Sequence, residues 1–443
     1  MTTTATAFLG DLWSLEPKTN GQHPVWLTGV RRAAVDWVAE HGFPTAKDED
    51  WRYTRVGPIL EVPFEPAVLG MSHTLSLSAI DELAGDLGGT RLVFVNGFFA
   101  PELSSLAKLP EGATATSLAR VLVDDGELLE GVFSRPFPAQ HHAFTALNAA
   151  LSEDGAFVQL PAHTTVDEPI HLVFVSDTGA SPLVSNPRSV ILAGAGSRVA
   201  IVETHAGMAG AVYLTNAVTE VVVDEGAEVA HYKVQNESET AFHLALLDVR
   251  QGRGSRFSSH SVALGSSIAR HEVKVNLEAE GAEVSLNGLY MPRGEQHHDN
   301  PTIIEHTAPR CTSRELYKGV IDGRGQGVFN GRIIVHPGAA GTDASQTNKN
   351  LLLSEWAEVD TRPRLEILAD DVKCAHGAAV GQLDEDAVFY LRSRGVPHQV
   401  ARGLLTYAFV NEMLELLRVA PLRSHVESQV AERLRADRVE VRR

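Results

Sequence analysis

Cysteine is almost missing: Cys311 and Cys374 are the only two in 443 residues. That excludes a disulfide-stapled scaffold and, with no C-x-x-C pair, a zinc ribbon, and in a reducing compartment both are expected as thiols. No run of about 18 apolar residues occurs, and the first 25 residues lack a basic segment followed by an apolar one. Membrane spanning and export are therefore not expected, and a cytoplasmic protein is. Basic charge is in deficit, with 38 Lys and Arg against 56 Asp and Glu and a net charge of −18, which argues against a nucleic-acid binder that must neutralise phosphates. Aromatic residues are only 6%, sparse for the sugar-stacking surface of a carbohydrate-active β-helix. The phosphate loop G-x-x-x-x-G-K-[ST], the elbow G-x-S-x-G and the helix signature H-E-x-x-H are all missing, so the chain alone is a poor ATPase, α/β-hydrolase or zincin. Gly323, Gly325 and Gly327 alternate without a following helix and read as a turn.

What is present is a globular composition, 44% hydrophobic and 21% charged. Residues 23–40, HPVWLTGVRRAAVDWVAE, place Pro24 at the start and space Trp26, Val30, Ala33 and Trp37 by three or four, which predicts an amphipathic helix. Arg91 to Phe99 reads as an apolar strand closed by a turn at Asn96 and Gly97, and His141 to Leu151 as a second helix. Residues 1–155 are thus expected to form an N-terminal helical or α+β region.

From about Ala156 to Pro363 the period shortens to two, as in Val273, Val275, Leu277 and Ala279 against Lys274, Asn276, Glu278 and Glu280. Within it a phrase recurs: Gly196 to Val199, Gly226 to Val229, Gly254 to Phe257, Gly281 to Val284, Gly325 to Val328 and Trp356 to Val359, at steps of 30, 28, 27, 44 and 31 residues. A unit of that size cannot bury its apolar face alone, so stacking into a β-helix over residues 156–381 is the economical solution. The long step predicts an insertion at Pro292 to Pro301, and a β-sandwich is the competing arrangement. Helical period returns over residues 382–443, with Asp384 to Gly395, then Val400 to Leu417 opened by Pro397. Pro421 is expected to break the second helix before a tail, Leu422 to Arg443, with six arginines against four acids.

The chemistry available is thiol, imidazole and carboxylate. Cys374 and His376 stand two apart, so an extended segment sends both to one face, where sulfur and nitrogen can meet one metal; alone they are half a site, and a buried thiol beside an ordinary histidine is the plainer reading. A second cluster, His297, His298, Asp299, Glu305 and His306, resembles the metal histidines of a metal-dependent cupin-like β enzyme without its H-x-H spacing, and reads otherwise as polar residues on an inserted loop.

Longer blocks are hard to read as generic. Thr342 to Ser354 (TDASQTNKNLLLS) and Arg362 to Gly395 (RPRLEILADDVKCAHGAAVGQLDEDAVFYLRSRG), with Trp51 to Thr54, Val95 to Ser104, Phe144 to Leu151 and Tyr317 to Val335, closely resemble the SufB/SufD family of iron-sulfur cluster assembly scaffolds. His376-Gly377-Ala378, where the SufB branch resembles H-E-A, places the resemblance on the SufD branch. The resemblance implies a mainly β fold, a right-handed parallel β-helix between an N-terminal helical region and a C-terminal helical domain. It implies a non-catalytic scaffold that pairs with SufB, or with a second copy of itself, and docks the SufC ATPase through its C-terminal helices, with no nucleic-acid or membrane partner. A transient iron-sulfur cluster shared with SufB would involve His376 as metal ligand and cofactor-binding residue, with Cys374 beside it. Ala375 and Ala379 depart from the serine and threonine usual in the family and remove hydroxyls that would support the ligand. For the docking of SufC the candidates are Tyr390, Arg392, Arg394, Leu404 and Phe409, since an apolar helix at a chain end often serves a neighbour; folding back onto the solenoid is the alternative.

Overall fold

The computed structural model describes residues 24–133, 142–179 and 181–440. Helix α1 (Val25–His41) starts immediately after Pro24, which caps it in an extended conformation, and stops at Gly42. Its buried stripe is Leu27, Arg31, Ala34 and Val38, one residue away from the stripe the spacing predicts. Trp26, Val30 and Trp37 are half-buried and Ala33 is exposed. The reason is the neighbour: α1 packs on α2 (Ala143–Leu151), and the buried Arg31 guanidinium donates to the Ser152 carbonyl at 2.9 Å. The two tryptophans lie on the flanks, Trp26 edge-on to Phe133 and Trp37 stacked on His41. His141, where the second helix is predicted to begin, lies outside the described residues. Thr90–Val95 and Phe98–Phe99 form the expected apolar hairpin, with positive φ at both Asn96 and Gly97 as a tight two-residue turn requires.

From Arg188 to Val335 the strands alternate between two sheets and each pairs in parallel with the strand two places along, while in the first coil, from Ala156, and in the last the parallel partner lies three places along. Among the described residues one sheet has twelve strands and the other ten. Antiparallel sandwich pairing is thereby ruled out for this region, and the stacked-coil solenoid expected from the repeat is what the chain builds. The final coils carry the site and are labelled β1 (Ile268–Leu277), β2 (Glu283–Tyr290), β3 (His297–His306), β4 (Thr312–Ile321), β5 (Gln326–Val335), β6 (Asp343–Leu352), β7 (Glu358–Thr361), β8 (Arg364–Ile367) and β9 (Lys373–Gln382). β1, β3, β5, β7 and β8 lie in the first sheet, and β2, β4, β6 and β9 in the second.

Register overturns the predicted insertion. Arg198, Glu228, Arg256, Glu283, Thr312, Asp343 and Lys373 are stacked partners, so the second sheet repeats without a long step. The turn missing from the sequence pattern lies at Arg310, whose φ of 57° takes the left-handed conformation held by Gly281 in the coil before. Glycine is the usual occupant because it has no Cβ to clash there, and a pattern keyed to glycine skips an arginine. The phrases at Gly325 and Trp356 belong to the opposite edge, where they enter β5 and β7. Pro292 to Pro301 therefore holds a tight turn and the start of β3, an interior strand.

Apolar side chains such as Val273, Val275, Leu277, Val284 and Ile333 fill much of the space between the sheets, but the centre is polar. Glu203 accepts from Lys233 Nζ at 3.0 Å and from His205 Nε2 at 2.6 Å, and His243 meets Glu237 at 2.7 Å, all five residues buried. Burial alone would push the Glu203 carboxyl up, yet Lys233, His205 and His231 together hold it well below its usual range.

Three helices close the chain. Asp384 caps α3 (Glu385–Ser393) by accepting from the Asp386 and Ala387 amides. α4 (His398–Leu414) follows Pro397, and α5 (Ala420–Glu440) contains Pro421 in its first turn. Pro421 therefore starts a helix rather than ending one, since the first-turn amides lack intrahelical acceptors in any case. Val410, Met413, Leu414, Val426 and Val430 bury against the outer face of the second sheet on residues such as Val234, Val262 and Leu289.

Candidate functional site

The site is built on the last coil. Among the described residues β9 pairs only with β6, in the register Ala344 to Cys374, Gln346 to His376, Asn348 to Ala378 and Asn350 to Val380. The four β6 residues are buried, so they point into the solenoid, and their register partners share that face because side chains alternate along a strand. No further coil covers β9 among the described residues, and most of the strand is exposed. Cys374 and His376 thus look out of the open end of the solenoid. Their Cα atoms stand about 6.6 Å apart, two strand residues, which lets both donors reach neighbouring positions on a small inorganic cluster.

Their environments differ. Cys374 is half-buried on the edge of the main core with Leu365, Ala369 and Val372. Burial, with the Asp343 charge adding to it, pushes its thiol up, so loading a metal there displaces a proton. His376 is exposed, and its ring has no hydrogen-bond partner among the described residues. An imidazole and a thiol suit iron and zinc, and two donors leave coordination positions for a neighbouring molecule.

The second predicted cluster does not converge. His298 and His306 point into the solenoid, where they bond the Gly265 carbonyl at 2.9 Å and Ser313 Oγ at 3.0 Å. His297, Asp299 and Glu305 leave the opposite face of the same strand. There Asp299 accepts from Thr54 Oγ1 at 2.5 Å and pairs with Arg270, His297 meets Thr54, and Glu305 meets His336. No group of three or more His, Cys, Asp or Glu side chains among the described residues is placed to hold a metal ion. The cupin-like grouping is corrected by strand alternation: consecutive residues on a strand cannot face one ion.

The docking candidates divide. Tyr390 is 57% and Leu404 51% exposed, Arg392 and Arg394 are exposed, and the Arg394 guanidinium lies 5.1 Å from the Tyr390 ring centroid. Phe409 instead lies on the inner side of α4, its carbonyl accepting from Lys318 Nζ at 2.8 Å and its ring covering the same ammonium. The helix both folds back on the solenoid and leaves a second face outside. Sequence reasoning missed Gln346 and Glu315, which lie beneath His376 inside the solenoid; the polar alternation in SQTNKN was the available signal.

Comparison with known proteins accords with this arrangement. Residues 174–409 match the SufBD core domain of SUF system FeS cluster assembly, and residues 16–172 match the SufBD protein N-terminal region. The chain is 33% identical to the iron-sulfur cluster assembly protein SufD of Escherichia coli, over 89% of this chain and 90% of that one. It is 32% identical to an iron-sulfur cluster assembly SufBD family protein of Synechocystis, over 91% and 90% of the two chains. With SufD of Bacillus subtilis the identity is 26%, over 94% and 95%. A solenoid with an open last coil, matched along nearly its whole length by these proteins, identifies the chain as a member of the SufBD family of the SUF iron-sulfur cluster assembly system.

Proposed function

We propose that the chain is a SufD-type, non-catalytic scaffold subunit that holds a nascent iron-sulfur cluster between its last coil and a SufB-type partner. The observation that supports this reading is the pair Cys374 and His376 at the open end of the solenoid, on a strand with no neighbour beyond it among the described residues. An edge strand of ten residues presents backbone donors and acceptors that a second strand can satisfy. The same end exposes Val380 by 49%, Leu368 by 60% and Trp356 by 72%, an apolar surface that a partner would cover. Another solenoid of the same build, SufB-type or a second copy of this chain, has the matching edge.

The cluster in this reading is cargo. One imidazole and one thiol from this side hold it weakly, the remaining ligands come from the partner, and a weakly held cluster can be passed on. The ATP chemistry belongs to a SufC-type ATPase docked on the exposed side of α3 and α4 around Tyr390, Arg392, Arg394 and Leu404. Its nucleotide state acts on the scaffold only so far as the ATPase binds two forms of it with different affinity. The complex is read as cytoplasmic.

The test is His376→Ala in a complex reconstituted with SufB-type and SufC-type subunits. Loss of cluster absorbance with unchanged subunit retention is the expected result. Undiminished cluster build-up overturns the ligand assignment, and loss of the SufB-type subunit reassigns His376 to packing of the interface.

A further inference from the structure

Residues 45–54, which end in the block Trp51 to Thr54, cross the outer face of the first sheet and reach from β1 and β3 to the last coil. The segment begins in a locally closed turn, Asp48 Oδ2 accepting from the Thr45 amide at 2.6 Å and from Thr45 Oγ1 at 3.0 Å. Its far end is anchored by burial. Trp51 and Thr54 are both buried. The Arg270 guanidinium of β1 lies 4.0 Å from the Trp51 ring centroid and donates to the Asp50 carbonyl at 3.0 Å, and Thr54 Oγ1 meets Asp299 and His297 on β3. The tip is held differently. Glu49 Oε1 accepts from Arg362 Nη2 at 3.0 Å and from Arg364 Nη1 at 2.8 Å, and Asp50 lies 3.6 Å from Arg364. The Glu49 side chain is 62% exposed. A cavity of about 360 Å³, lined by Trp37, Phe43, Arg270, Asn330 and Arg332, opens between the segment and the sheet, so the tip is attached by charge and not by apolar packing.

What the tip grips is the least supported part of the solenoid. β7 and β8 have four residues each and, among the described residues of their sheet, pair only with β5. Pro363 between them has no amide hydrogen to give to the ladder. Arg362 stands in that gap and Arg364 opens β8. From β8 the chain runs directly on to β9, and Leu365, Ala369, Val372 and Cys374 share one edge of the main core, so a shift of β8 is felt at Cys374.

We propose that residues 45–54 are a clasp: the buried foot, Trp51 and Thr54, stays fixed on β1 and β3, while the ion-paired tip, Glu49 on Arg362 and Arg364, holds the last coil and with it the strand that carries Cys374 and His376. The inference rests on the reading of that pair as a cluster-holding face for its purpose, but not for its geometry.

Exposed ion pairs shift an equilibrium by only about 1.5- to 5-fold each. Two that share one carboxylate, on a segment whose foot is already in place, are enough to bias a short coil at the end of a solenoid. They also fade with salt, as the screening length falls from about 30 Å at 0.01 M to about 3 Å at 1 M. The hydrogen bond from Arg362 and the charge of Arg364 hold the Glu49 carboxyl below its ordinary range, so it stays ionised near neutral pH. Ionic strength, not protonation, sets the grip.

The test is amide hydrogen exchange of the full-length chain, read peptide by peptide near pH 7. In 0.01 M NaCl, Glu49→Gln is expected to speed exchange over residues 358–382 about three- to tenfold while β1 to β4 stay as in the parent. Raising the salt to 1 M should bring the parent close to the variant and change the variant little. Cys311 is buried, so Cys374 is the thiol that reacts first with a disulfide reagent, and its rate should rise by the same factor. Exchange in the last coil that is unchanged by Glu49→Gln overturns the proposal, and so does a rise spread evenly over all strands. Faster exchange with an unchanged thiol rate overturns the hold on the site. Should the variant fail to fold, the salt series on the parent decides: a last coil indifferent to salt overturns the clasp equally. A last coil indifferent to Glu49 while His376→Ala still abolishes cluster build-up defeats this inference alone; a working clasp while His376→Ala is harmless defeats the ligand assignment alone.

Discussion

Glu315 is a carboxyl shut away from water, and its cost depends on pH. In the unfolded chain it ionises near 4.5 and in the fold near 7, so across that window the unfolded state binds fewer protons and stability falls as pH rises. The difference corresponds to roughly 3 kcal/mol at pH 8. Glu315→Gln keeps the shape without the charge, and urea unfolding is expected to find it more stable than the parent at pH 8 and equal at pH 4. A second residue-scale expectation concerns Gly331: Gly331→Ala sets a methyl against the Gln346 amide and the Phe329 ring and should destabilise by about 1–3 kcal/mol in the same measurement. The pair Cys374 and His376 was legible in the sequence because two-residue spacing on a strand is a local property. Glu315 was not, since a glutamate in an alternating strand reads as solvent-facing until register shows which face is enclosed.

At the scale of the element, the buried histidines dominate. The buried His171, His298 and His306 and the half-buried His260 are held at about 3 to 4, with desolvation the leading cause at each. Their neutral forms are favoured in the fold, so the stability they contribute is complete above pH 6.5 and is lost as pH falls toward 4. Four protons taken up on unfolding steepen the loss to about 5 kcal/mol per pH unit in that window. Urea midpoints measured from pH 7 to 4.5 should fall sharply, and a flat profile would contradict the burial of these rings. The C-terminal helices hang on fewer contacts. Lys318, 4% exposed, pairs with Glu412 at 2.5 Å and donates to the Phe409 carbonyl; Lys318→Ala is expected to raise amide exchange in α4 and α5 at least tenfold, a loss of about 1–2 kcal/mol, while solenoid strands stay protected. Helix α1 shows the limit of periodicity: Trp26, Val30, Ala33 and Trp37 and the true stripe Leu27, Arg31, Ala34 and Val38 have the same spacing, and only contact with α2 selects between them.

For the molecule as a whole, the open end is where assembly is expected. Val380 lies on β9 with 49% of its surface exposed, so Val380→Lys costs the isolated chain little, with a Tm within about 3 °C of the parent. The same substitution should abolish retention of a SufB-type subunit in co-purification; full retention would place the interface elsewhere. The amino-acid order alone determined that strands of a two-residue period recur about every 28 residues, that helices follow after Gly381, and that a thiol and an imidazole share one strand face, because period, caps and i to i+2 spacing are written in neighbouring residues. It also misplaced one coil, since the backbone turn at Arg310 looks like glycine only in three dimensions. Which face is inside, that His298 and Asp299 part company, and that Glu315 and Gln346 stand behind His376 were decided by tertiary structure, because parallel register joins residues some 30 positions apart through backbone hydrogen bonds that carry no local side-chain signature.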